Sequence, residues 1–252
     1  MSTRRERLRT ELIDQIKAAA LTQLQTHGAE GLSLRAVARS VGLSAPGMYR
    51  YFDSRDDLLT ALITEGYDDL ADHMLYAVRR DEQLSDNGRA TPIVPERVAA
   101  DASAADRFRA AARAYRQWAL THPNEFGLLY GTPIPGYAAP QGGPTVAAVQ
   151  RMSIALLAPL VDACLHGNLR IPPGFSSAAL SDAMTELHSD ITAIADTEVP
   201  PELPALLLAT WSRLHGIVSL EVFNQFAFAF GDDAAELFEA ELTTLIDQTF
   251  TA

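Results

Sequence analysis

Arginine, serine and tyrosine side chains crowd one end of the chain at spacings that suit a polyanion better than a reaction. Ser33, Arg35, Ser44, Tyr49, Arg50, Tyr51 and Arg55 fall within residues 33–55, and Arg4, Arg5, Arg7 and Arg9 precede them. Guanidinium groups and hydroxyls donate hydrogen bonds to phosphate oxygens, and the charges displace counterions from a duplex. Residues 1–55 carry nine basic and five acidic groups, a net +4, while the whole 252-residue chain is at −12 and the remainder at −16. A nucleic acid is drawn to the first end and repelled by the rest. Catalytic constellations are not found. His27, His73, His122, His166, His188 and His215 include no i, i+4 pair. No phosphate-cradling glycine loop, nucleophile elbow or Cys/His metal spacing occurs, so neither cofactor nor metal is expected. The pairs Asp56–Asp57, Asp68–Asp69 and Asp232–Asp233 sit where helix dipoles and solvent account for them. A lone Cys164 builds no disulfide framework and suits a reducing cytoplasm.

Helices must position these groups. From Leu8 to His27 the residues Leu12, Ile13, Ile16, Ala20, Leu21 and Leu24 recur at helical spacing, and Gly28 stops the run. Ser33 and Ser44 are N-caps for a second and a third helix, and Ser54 with Asp57 opens a fourth, Arg55 to about Arg80. That fourth helix turns Leu58, Leu62, Ile63 and Leu70 inward. Ala38 permits a sharp helix crossing, Gly42 tolerates the positive φ of a tight turn, and Val37 meets Met48. Pro46 fits the first turn of the third helix, which is expected from Ala45 to about Phe52 and exposes Ala45, Gly47, Tyr49, Arg50 and Tyr51. This is a helix-turn-helix pattern.

Residues 81–104 lack a sustained period and read as a mobile connection, and residues 131–144, with four Pro and four Gly, as a long loop. Helices are expected from Ala105, around Phe126–Tyr130, and near 145–166, 176–197, 202–230 and 233–250. No period-two pattern survives. The expected fold is all-α, with a helix-turn-helix DNA-binding domain at 1–55, the fourth helix at 55–80 as connector, and a larger helical ligand-binding and dimerisation domain at 56–252. A hydrophobic content of 48% supports a sizeable core. No run of about 18 apolar residues and no apolar leader are found, so neither a membrane partner nor export is expected.

The stretch Gly42-Leu43-Ser44-Ala45-Pro46-Gly47-Met48-Tyr49-Arg50-Tyr51-Phe52-Asp53-Ser54-Arg55 resembles the signature of the TetR family of bacterial transcriptional regulators. Arg55 stands where that family usually has lysine, and Tyr51 replaces a common histidine. Trp211-Ser212-Arg213-Leu214-His215-Gly216 resembles the tryptophan-x3-histidine-glycine signature of one branch. The resemblance implies that the third helix enters the major groove. Tyr49, Tyr51, Ser33, Arg35 and Arg55 would then position phosphates. Ala45 and Pro46 offer only apolar contact, for instance to a thymine methyl, and Gly47 allows close backbone approach. Arg50 reaches a guanine edge or a phosphate. Arg4, Arg5, Arg7 and Arg9 form either an arm along a groove or a disordered end.

The large acidic body needs its own purpose, and the resemblance implies an inducer cavity there. Tyr115, Trp118, Phe126, Tyr130, Met152, Met184, Trp211 and His215 are candidate lining residues, each with plain core as its alternative. Leu207, Trp211, Leu214, Val218, Val222 and Phe226 form one stripe of the 202–230 helix, with Ile217 and Leu220 on another. A helix apolar on two faces needs two partners. A homodimer interface is therefore expected through Arg213, Ile217, Leu220 and Asn224 with Leu242, Leu245 and Ile246, or else both helices close a monomer core. The sequence thus points to a cytoplasmic, homodimeric regulator of transcription, released as a repressor from a palindromic double-stranded operator by a small-molecule inducer. An activator of the same fold, a helical enzyme acting on an apolar small molecule, and a non-specific nucleoid protein are the alternatives.

Overall fold

The structure, a computed structural model, describes residues 3–28, 31–78, 98–99, 101–172, 174–175, 182–231 and 233–251. Eleven helices and no strand occur among the described residues. Leu169 and Phe250 form an isolated bridge. Most of the connection expected at 81–104, the last residues of the helix expected to reach Arg80, and the start of the one expected at 176 lie outside the described residues. Met1–Asp69 and His122–Gln150 form one compact unit, and Leu70–Thr121 with Arg151–Ala252 form another. The first unit is thus larger than the 1–55 head expected from the sequence.

In that first unit, α1 (Arg4–His27) starts on a reciprocal cap. Thr3 Oγ1 accepts from the Glu6 amide at 3.3 Å, and the Glu6 carboxylate accepts from the Thr3 amide at 2.7 Å. The cap starts the helix a turn before Leu8, so Arg4, Arg5, Arg7 and Arg9 ride on regular helix and the expected arm is corrected. Gly28, at φ 67°, ends α1. The next helices are α2 (Leu34–Ser40), α3 (Ala45–Met48) and α4 (Arg55–Val78). Ile16, Ala20, Leu34, Val37, Met48 and Leu58 are buried together in one core, Ile16, Ala20 and Leu58 as the periodicity predicts and Val37 with Met48 as the helix crossing requires. Behind it come α6 (Pro123–Tyr130) and the loop that follows, whose Leu128, Ile134 and Tyr137 pack on the same core. Tyr137 Oη lies 3.0 Å from Thr60 Oγ1, and Lys17 pairs with Glu65 at 2.9 Å across α1 and α4.

The second unit is built on α5 (Ala104–Thr121), α8 (Asp182–Ala195), α9 (Leu203–Val222), the short α10 (Ala227–Phe230) and α11 (Ala235–Thr249). α4 and α7 (Pro144–Leu165) begin in the first unit and end in the second. Phe108, Tyr115 and Trp118 of α5 are buried here, with Leu160 of α7, Leu214 and Val218 of α9, and Phe238 and Leu242 of α11. Arg107 enters the same core with its charge satisfied, donating to the Ala102 carbonyl at 2.9 Å and to the Asp162 carboxylate.

The single helix expected over 202–230 is corrected. α9 stops at Val222 and is about 30 Å long at 1.5 Å per residue. Asn224 takes a left-handed φ of 56° and turns the chain. Glu221 closes the bend, accepting from Arg116 Nε at 2.8 Å and from the Ala234 amide at 3.0 Å. Phe226 therefore lies beyond the stripe that it continues in the sequence. α7 and α9 are also long and apolar enough to cross a membrane by length and composition, with mean hydropathy 1.4 and 1.2 over their most apolar windows. Arg151 and Asp162 interrupt the apolar run of α7, and Arg213 that of α9.

Candidate nucleic-acid interface

The crossing of α2 and α3 depends on small residues and one turn. Ala38 and Val37 are buried where the helices meet, and Gly42, at φ 72°, reverses the chain. The Leu43 amide donates to the Ala38 carbonyl at 2.8 Å and closes that turn. Ser33 caps α2, and Ser44 caps α3 by accepting from the Gly47 amide at 3.1 Å. Met48, fully buried, pins α3 to the core. After it the chain leaves the helix, so the expected extension to Phe52 is corrected. Pro46 sits in the first turn, where it costs nothing, but Gly47 is a weak helix former and one turn has little to offset it. The Tyr51 and Phe52 amides still reach the Met48 carbonyl, at 2.9 and 3.2 Å.

Ser33, Arg35, Ser44, Pro46, Tyr49 and Arg50 are exposed in this unit, Tyr49 at 48%. Ala45, Gly47, Tyr51 and Arg55 are half-buried beside them. Ser54 caps α4 by accepting from the Asp57 amide at 3.0 Å, which sets Arg55 in its first turn, 3.6 Å from Asp56. Sequence reasoning missed one contact: the Arg9 guanidinium lies 5.3 Å from the centre of the Tyr51 ring.

The eight candidate ligand residues divide between the two units. Phe126 and Tyr130 belong to the first unit, their rings 5.0 Å apart, with Tyr67 5.8 Å from Tyr130. Burial pushes the Tyr130 phenol well up from its ordinary value. In the second unit Tyr115, Trp211 and His215 do meet. Trp211 stacks on His215 at 5.2 Å, and Tyr115 Oη lies 2.7 Å from His215 Nδ1. Ser219 Oγ is 3.1 Å from the other ring nitrogen. Burial pulls the His215 imidazole below its usual value. Trp118 and Met152 are buried, and Met184 is half-exposed. A separate groove of about 1050 Å³, which the sequence did not signal, runs along Asp106, Arg109, Arg113 and Leu120 of α5 to Phe238 of α11.

Of the candidate interface residues, Arg213, Leu220 and Asn224 are exposed and Ile217 half-buried. Arg213 donates to Gln248 at 3.0 Å and pairs with Glu241. Leu242, Leu245 and Ile246, expected at a dimer interface or else in a monomer core, are buried within one chain, at most 5% exposed. Their stripe is the face that α11 lays on its own α9 and α5.

Three helices crossing in this way, with a capped one-turn element between exposed arginine and tyrosine, define a helix-turn-helix DNA-binding regulator of transcription. Residues 16–62 match the family model for bacterial regulatory proteins of the tetR family, and residues 108–245 match that for a tetracyclin repressor-like C-terminal domain. The chain belongs to the TetR family. It is 34% identical over 224 residues to the HTH-type transcriptional regulator Rv1816 of Mycobacterium tuberculosis, covering 89% of this chain and 86% of that protein. The same figures hold for the HTH-type transcriptional regulator Mb1846 of Mycobacterium bovis. Among solved structures, the candidate regulatory protein SCO4313 is 32% identical with a TM-score of 0.70, covering 97% of this chain and all of that one. A protein of unknown function from Rhodococcus sp. RHA1, 23% identical with a TM-score of 0.63, shares the fold over 95% of this chain and 96% of that one.

Proposed function

We propose that this regulator is a cytoplasmic homodimeric repressor that holds a palindromic operator and releases it when a small molecule binds the second unit. The observation that carries the reading is the head. Arg35, Tyr49 and Arg50 stand exposed around a third helix fixed by Met48, on a net-positive segment of an acidic chain. Two such heads read half-sites about 34–36 Å apart. The second copy is supported by α9, whose Leu208 and Leu220 are exposed opposite its buried stripe. Ligand response is supported by the half-buried Trp211 and His215, which with Tyr115 combine aromatic surface and a polar chain. A ligand that binds one conformer better shifts the population away from operator binding.

Selection of bound fragments from the source genome, followed by footprinting, tests the reading. A protected two-fold symmetric site overlapping a promoter, with transcription rising when the gene is deleted, is the expected result. Equal binding to every duplex overturns it, and a fall in transcription on deletion makes the protein an activator.

A further inference from the structure

The DNA-binding reading leaves open what the head recognises, and the chemistry of α3 narrows it. A helix-turn-helix presents the outer face of its second helix to base edges. Here that helix is Ala45–Met48, and Met48 is wholly buried beneath it. The outward surface is therefore Ala45, Pro46 and Gly47, none of which has a polar side-chain atom. Pro46 has no amide proton, and the amides of Gly47 and Met48 are taken by Ser44 Oγ and the Ser44 carbonyl, both at 3.1 Å. The long donors Tyr49 and Arg50 follow only after the helix has ended.

These three side chains form no hydrogen bond with the polar edges of guanine, cytosine or adenine. Of the four bases, thymine alone adds an apolar group to the major groove, the methyl on C5. The geometry points to an operator half-site read through 5-methylpyrimidines, with Ala45 and Pro46 packed on thymine methyls and Tyr49 and Arg50 holding the flanking backbone. The inference rests on the operator reading above and specifies its chemistry.

The test takes an operator found by genomic selection and replaces its thymines one at a time with deoxyuridine. This deletes a methyl and leaves pairing and every polar groove atom in place. At one or two adjacent positions in each half-site the affinity should fall about fourfold per methyl. Replacing the T·A pair there by 5-methylcytosine·G should keep more affinity than replacing it by C·G. The Ala45→Gly variant should lose affinity on the thymine duplex and little on the deoxyuridine duplex, which locates the contact. Sequence-selective binding that ignores every deoxyuridine substitution overturns this inference and leaves the operator reading standing. Equal losses of Ala45→Gly on both duplexes overturn the assignment to α3, and absence of any preferred duplex overturns both readings.

Discussion

Arg9 and Arg50 are both arginines near the same tyrosine, yet the structure gives them different work. Arg9 spends its charge on the face of the Tyr51 ring, a contact worth about 0.5–1 kcal/mol at an exposed site. Arg9→Ala should weaken operator binding severalfold, Arg9→Lys should recover part of it, and neither should matter in a Tyr51→Ala background. Fluorescence anisotropy titrations of the four variants read this out. Arg50 makes no ion pair among the described residues. Arg50→Ala should weaken binding to all duplexes and reduce the slope of log affinity against log salt by about 0.9. An unchanged slope would remove Arg50 from the phosphates. His215 carries a pH prediction. Its folded imidazole protonates less readily than in the unfolded chain, so acid favours the unfolded state. Stability is fully present above the ordinary imidazole range and declines as pH falls through about 6.5. Urea unfolding between pH 8 and 5 should show the decline, and His215→Gln should flatten it while weakening the links to Tyr115 and Ser219.

At the scale of elements, caps and one left-handed glycine decide where helices begin and end. Gly42→Ala places a Cβ at φ 72° and should cost about 1–2 kcal/mol, although the space around it is open. Ser44→Ala removes the acceptor for the Gly47 amide and should cost about 1 kcal/mol. Both losses are measured by denaturant unfolding, and both should also weaken DNA binding because α3 is a single turn. The caps at Ser33, Ser44 and Ser54 were legible because each is a local hydrogen bond within three residues. Two helix ends were not. The apolar stripe of α9 continues in the sequence through Phe226, and only Asn224 marks the turn. The third helix ends after one turn, and Gly47 within that turn carries a propensity cost that periodicity does not weigh.

Across the whole molecule, the decisive distinction is between apolar faces buried by the chain itself and those left for another. Leu220 is 43% and Phe228 90% exposed, whereas Leu242 is fully buried. Leu220→Asp should leave the protomer folded, with unchanged circular dichroism, and dissociate a dimer in sedimentation equilibrium. Leu242→Asp should unfold the protomer, because a carboxylate in that core has no partner. If Leu220→Asp sediments as a dimer at micromolar concentration, the α9 face is not the interface.

The all-α class, the helix-turn-helix head and its cationic end were set by the sequence itself. Local hydrogen bonds, helical periodicity and formal charge depend on neighbours a few residues away. Which aromatic side chains share a cluster was decided only in three dimensions, because burial depends on partners far along the chain. Phe126 packs with Tyr130 in the head unit while Tyr115 meets His215 a hundred positions later. The same holds for Leu242, whose stripe reads identically whether its own α9 or a second copy covers it.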